Sequence, residues 1–173
     1  MKVIVDTSIW SLALRRGTQN SSAPVQELRH IIHDHRVQMI GPIRQEILSG
    51  IRSESHFKKL RKHLESFPDL PILTEDYVTA AKFFNRCRSK GIQGSNTDFL
   101  ICAVAFRNKF SIFTTDKDFE LFSKHIKIEF HQAGQLQQTP KDWENRLHIS
   151  TVFDKIASFL NLLGWYRAGW AVT

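Results

Sequence analysis

Short, wholly apolar runs separated by longer stretches of helical period constrain this chain more than any other feature. Val3-Ile4-Val5 is β-branched throughout and ends abruptly at Asp6. A run with no polar alternation suits a central strand covered on both faces. Residues 37–40, 111–114 and 126–130 read as further strands. Residues 67–73 contain two prolines and are at best an edge strand. Between the runs, Thr7 and Ser8 stand where a helix cap is wanted, and Ile9, Leu12 and Ala13 give that helix an apolar face. Residues 17–22 read as a polar loop. Pro24 opens a helix to about residue 35, with Val25, Leu28, Ile31 and Ile32 on one side. Pro42 opens a short one that Gly50 is placed to cap. Helices also read over residues 55–66, 74–90, 97–108 and 116–124. Strands alternating with helices through the first 130 residues imply a doubly wound α/β sheet with mostly parallel strands.

Charge narrows the choice of partner. The net charge is +7 over 173 residues. Residues 136–173 hold four Lys or Arg and three Asp or Glu, so +6 of it belongs to residues 1–135. That excess favours an anionic partner, although a solvated lysine-rich surface accounts for it equally well. Cys87 and Cys102 fall within helices without metal-ligand spacing, and read as buried reduced thiols. Asp6 interrupts the first apolar run too early for a secretory leader, and no run approaches a membrane span, so a cytoplasmic protein is expected.

Open α/β sheets place their sites at the carboxyl ends of strands. Acids stand at those positions. Asp6 follows the first strand, Glu46 lies one turn into the helix after the second, and Asp98 opens the most apolar helix. Asp116 follows the strand at 111–114, with Asp118 two residues on. An acid in a first helical turn is already explained by the helix dipole, which suffices for Asp98 or Asp118 alone. Asp6 and Asp116 resist that account, since both directly follow strands. Carboxylates converging on one edge raise one another's pKa values, and a divalent cation relieves the repulsion. An all-oxygen set suits Mg²⁺ or Mn²⁺ and not zinc, and one ion or two, about 4 Å apart, would serve a phosphate-transfer site. His30, His33 and His35 form the other cluster of ligand types, and a solvated helix end is the better reading for them.

Four segments in order resemble the motifs of PIN-domain toxins of the VapC type. They are Val3-Ile4-Val5-Asp6-Thr7-Ser8-Ile9-Trp10, Glu46-Ile47-Leu48-Ser49-Gly50, the stretch 94–105 containing Thr97-Asp98-Phe99-Leu100-Ile101-Cys102-Ala103, and Thr114-Thr115-Asp116-Lys117-Asp118-Phe119. The resemblance covers residues 1–135. It implies a three-layer α/β/α sandwich around a mainly parallel sheet of four or five strands. It implies catalytic and metal-binding roles for Asp6, Glu46, Asp98 and Asp116, with Asp6 and Asp98 the most direct ligands of Mg²⁺ or Mn²⁺. Ser8 and Thr114 would position the acids or a bound water, and Asp118 would be peripheral. The implied reaction is hydrolysis of RNA phosphodiesters by metal-activated water, leaving a 5′-phosphate and a 3′-hydroxyl. A VapB-type antitoxin partner and a homodimer are implied as well.

Arg44 and Lys117 neighbour site acids in sequence and are the first candidates for RNA contacts, ahead of the basic runs at 58–63 and 86–90. Residues 136–173 extend past the resemblance. There Val152, Ile156, Phe159, Leu160 and Leu163 give a helical face, followed by Trp165, Tyr166 and Trp170. A docked terminal helix, a contact with a second copy and an antitoxin-mimicking segment are all open for it. Two rival readings stand beside the nuclease. A phosphoacceptor receiver domain would want paired acids after the first strand and a Lys after the last, whereas Asp6 stands alone and Lys127 lies inside the last predicted strand. A catalytically silent PIN-like RNA- or protein-binding module would have no need of all four acids.

Overall fold

The computed structural model describes residues 1–14, 22–49 and 51–133. The expected extension at 136–173, most of the loop at 17–22 and the Gly50 cap lie outside those residues.

β1 (Val3–Val5) is the axis of the fold. It pairs in parallel with β2 (Val37–Gln38) on one side and β3 (Ser111–Phe113) on the other, and β3 pairs in parallel with β4 (Glu129–Phe130). The sheet order is β2-β1-β3-β4. Consecutive side chains of a strand point to opposite faces, yet Val3, Ile4 and Val5 are all buried, as are Ser111, Ile112 and Phe113. Both faces of the central strands are therefore covered, which makes a three-layer α/β/α arrangement with a four-stranded parallel sheet.

The helices are α1 (Thr7–Leu14), α2 (Ala23–His33), α3 (Gly41–Leu48), α4 (Glu54–Leu64), α5 (Thr74–Arg88), α6 (Asn96–Asn108) and α7 (Asp118–Ser123). α1 packs on α2 and α3, α3 on α4, and α5 on α6. α6 is the most deeply set, with Phe99 to Ala105 buried at every position. It ends where Lys109 takes a left-handed conformation at φ 55°. Cys87 and Cys102 are buried free thiols as expected, and burial pushes both up, Cys102 furthest. No helix among the described residues is long and apolar enough to cross a membrane.

Both outer strands are shorter than the apolar runs predict. Met39 leaves the ladder for a single parallel bridge to Asp69, the only strand-like contact of the 67–73 segment among the described residues. Ile126 is core, but its N–H completes the end of α7 by donating to the Phe122 carbonyl. An edge strand is paired on one side only, so burial holds its apolar residues without a continuous ladder.

Candidate active site

The chain leaves β1 to build β2 on one side and later builds β3 on the other. The carboxyl ends of β1 and β3 thus flank the switch point of the sheet, where ligands of open α/β folds bind. Asp6 is held at that point by its own backbone, whose N–H donates to the Phe113 carbonyl at 2.9 Å. The residue is 6 % exposed. Asp6 Oδ2 accepts from Ser8 Oγ at 2.6 Å, Thr114 Oγ1 at 2.9 Å and the Ser8 amide at 3.2 Å. Asp6 therefore caps α1 itself, which corrects the expectation that Thr7 and Ser8 do so. Their hydroxyls serve acids instead: Ser8 holds Asp6, and Thr7 Oγ1 donates to Glu46 Oε2 at 2.6 Å.

The hydroxyls also knit the two strand ends together. Thr114 Oγ1 accepts from the Asp116 amide at 3.0 Å, and Ser8 Oγ accepts from the Thr115 amide at 3.1 Å. Asp116 is exposed, and its Oδ1 accepts from the Asp118 amide at 2.9 Å, just ahead of α7. Asp118 lies exposed at the margin in the first turn of that helix.

Asp98 stands at the third position of α6, half-buried. Its Oδ2 accepts from the Ser95 amide at 2.8 Å, and its own amide donates to Ser95 Oγ at 3.1 Å. This reciprocal cap fixes the carboxylate. Burial pushes the carboxyl above its ordinary value, Ser95 draws it part of the way down, and the charges of Asp6 and Asp116 push it up again. The three carboxylates thus share one electrostatic neighbourhood although 92 residues separate Asp6 from Asp98 in the chain.

Each of the four acids has one oxygen tied by a donor of the chain: Asp6 Oδ2, Glu46 Oε2, Asp98 Oδ2 and Asp116 Oδ1. The second oxygen of each accepts no hydrogen bond among the described residues. None of the four is paired with a Lys, Arg or His there either, whereas Glu27, Asp34, Glu54, Glu65, Asp69 and Asp76 all are. Among the described residues no three His, Cys, Asp or Glu are drawn into a ready cage for a metal ion. The donor set still fits Mg²⁺, which keeps much of its water and binds through one or two carboxylates.

Sequence reasoning overlooked two supports of Asp98. One is Ser95, although Ser95-x-x-Asp98 is a capping box legible in the sequence. The other is Gly94, where a Cβ would collide with the buried Phe122 ring and crowd Phe99. Nothing local marks that close approach.

The remaining candidates fare differently. Arg44, a candidate RNA contact, is bonded within the fold. Its Nε donates to both oxygens of Asp69 at 2.9 and 3.0 Å, and its other nitrogens donate to the Leu64 and Phe67 carbonyls. Lys117 is exposed beside Asp116 with no described ion pair. In the basic runs, Lys58 lies 3.3 Å from Glu54 of its own helix and Arg61 lies 3.9 Å from Glu65, the residue that ends it. Of the histidines, His30 faces Glu27 at 3.9 Å, His33 faces Asp34 at 3.1 Å, and His35 sits in a left-handed turn at φ 54°.

The family model for the PIN domain matches residues 3–124. VapC ribonuclease Mb1587 of Mycobacterium bovis and ribonuclease VapC11 of Mycobacterium tuberculosis are each 29 % identical over 131 residues, spanning 73 % of this chain and 96 % of the relative. Among solved structures, FitAcB from Neisseria gonorrhoeae superposes with a TM-score of 0.60 at 18 % identity, over 78 % of this chain and 99 % of that one. VapBC2 from Rickettsia felis, bound to a DNA fragment from the promoter, also gives 0.60, at 14 % identity over 76 % and 98 %.

Proposed function

The chain belongs to the PIN domain family, and from that premise we propose that it is a metal-dependent endoribonuclease acting as the toxin of a VapBC-type pair. One observation carries the reading. Asp6, Asp98 and Asp116 share a neighbourhood at the sheet's switch point with no basic side chain of the described residues neutralising them. Unpaired carboxylates so placed raise the free energy of the empty fold and favour a cation. The curated relatives, which bear the name ribonuclease, supply the reaction class. The neighbours FitAcB and VapBC2 supply the expectation of an antitoxin partner. A homodimer and a cytoplasmic location belong to the same proposal.

In this reading Mg²⁺ or Mn²⁺, held through Asp6 and Asp98 with Glu46 and Asp116 beside them, supplies Lewis acidity and a water of lowered pKa. The chain's own groups do the rest. Ser8 and Thr114 fix Asp6 so that its free Oδ1 needs no rearrangement on binding. Ser95 does the same for Asp98. Thr114 also holds the Asp116 backbone, so a single side chain sets the spacing of two acids. Lys117 is placed to attract the phosphate that bare carboxylates would repel. Cleavage of the phosphodiester by water leaves a 5′-phosphate and a 3′-hydroxyl.

The test is cleavage of total bacterial RNA by the purified chain with Mg²⁺ or Mn²⁺, with chelator, and by Asp98→Asn. Cuts that need the metal and vanish in the variant are expected. A chain that binds RNA but never cuts it, with or without metal, would overturn the enzyme reading in favour of a binding module.

A further inference from the structure

Asp6, Thr7 and Ser8 are consecutive, and two of their three roles are accounted for. Asp6 caps α1 and faces the acid cluster, and Ser8 holds Asp6. Thr7 is left over by both tasks. Its hydroxyl reaches across from α1 to α3 and donates to Glu46 Oε2 at 2.6 Å, between residues 39 apart in sequence. A hydroxyl donating to a carboxylate at that distance is a short, charge-assisted bond. Glu46 has no other hydrogen bond and no ion pair among the described residues. It is half-buried on a helix anchored by Ile43 and Ile47. Its side chain carries three rotatable bonds, so its carboxylate would sample many positions without a tether.

We propose that Thr7 is a positioning residue, whose hydroxyl ties the Glu46 carboxylate to the residue next to Asp6 and leaves Oε1 available to the cation site. The proposal rests on the nuclease reading above and adds a residue to it. Thr7 touches neither substrate nor metal; it acts through Glu46. Groups that orient ligands in this way affect metal affinity far more than they affect substrate binding.

The experiment uses the full chain and Mn²⁺ alone as probe, followed by calorimetry or electron paramagnetic resonance. It compares wild type, Thr7→Val, Thr7→Ser, Glu46→Gln and the Thr7→Val/Glu46→Gln double variant. Thr7→Val keeps the shape and removes the donor, and is expected to weaken Mn²⁺ binding about tenfold. KM for RNA at saturating Mn²⁺ should stay near wild type. Thr7→Ser should restore binding, and the double variant should be no weaker than Glu46→Gln, because Thr7 has no other target. Urea midpoints identify any variant that has lost its fold, and Thr7→Ser keeps the comparison usable if Thr7→Val has. Wild-type Mn²⁺ affinity in folded Thr7→Val overturns the proposal alone. So does a Thr7→Ser that fails, or single effects that add in the double variant. A wild type that neither binds Mn²⁺ nor cleaves RNA overturns the nuclease reading, and this proposal with it.

Discussion

At the scale of a residue, Asp98 shows that a helix cap and a metal ligand are not competing explanations. A carboxylate has two oxygens: Oδ2 caps α6 at Ser95 while Oδ1 stays free. Because burial, then Asp6 and Asp116, push this carboxyl up, the folded chain holds a proton there at pH values where the unfolded chain has lost it. The stability this group provides is full below its ordinary value of 3.8 and is lost as pH rises through the raised folded value. Asp98→Asn keeps the cap and removes the charge. It should therefore raise metal-free stability by about 1 kcal/mol at neutral pH, discounted for the water that still reaches the carboxyl, while abolishing cation binding. Urea unfolding across about pH 4 to 7 checks this, since the advantage should shrink towards the acid end. An Asn variant less stable than wild type at neutral pH would mean that Asp98 is only a cap.

At the scale of an element, α6 is fixed at both ends, by Ser95 and Asp98 at its start and by Arg107 near its finish. Arg107 grips Asp76 of α5 with bonds of 2.6 and 2.8 Å, and the Leu73 amide adds a third at 2.9 Å. Asp76 is 1 % exposed. Burial alone would raise its carboxyl, but Arg107 and the Leu73 amide outweigh burial and hold it below its ordinary value. The stability it contributes is present above the ordinary carboxylate value and lost as pH falls through the lowered one. Arg107→Ala leaves a buried acid unpaired. Because the arginine itself is 32 % exposed, the loss should be about 2 kcal/mol, below the usual figure for a fully buried pair. Chemical denaturation at neutral pH measures it, and a loss under about 0.5 kcal/mol would make this an ordinary surface pair. Helix identities were legible in the sequence because most carry an apolar stripe and α6 a long apolar run. The ends of β2 and β4 were not, because an apolar residue is buried equally well on or off a ladder.

At the scale of the molecule, the described core is continuous from Val3 to Ile126. Beyond it, His131 Nε2 lies 2.6 Å from Glu27 Oε1, a nearly buried pair that fastens the exit of β4 to α2. The curated relatives match over 131 residues, close to the length of this unit. Residues 1–135 should therefore fold alone, with the urea midpoint and RNA cleavage of the full chain to within about twofold. Loss of cooperative unfolding in that truncation would place part of residues 136–173 in the core. The +6 charge of residues 1–135 belongs to the same unit as the acids. A net positive charge on a unit favours association with a polyanion such as RNA.

By itself the sequence determined the doubly wound parallel fold and pointed to the four acids proposed for the site. Apolar period and the ends of strands are local properties, and a carboxylate that follows a strand of an open sheet is bound for its carboxyl edge. Only the tertiary structure decided what holds Asp6 and Glu46 from elsewhere in the chain. Thr7 serves Glu46 instead of a helix cap, Thr114 joins Asp6 to Asp116, and Arg44 is spent on Asp69. The Thr7–Glu46, Arg44–Asp69 and Thr114–Asp6 bonds join residues 25 to 108 positions apart. The direction of such a bond is set by how helices pack on the sheet, a geometry that no short stretch of sequence contains.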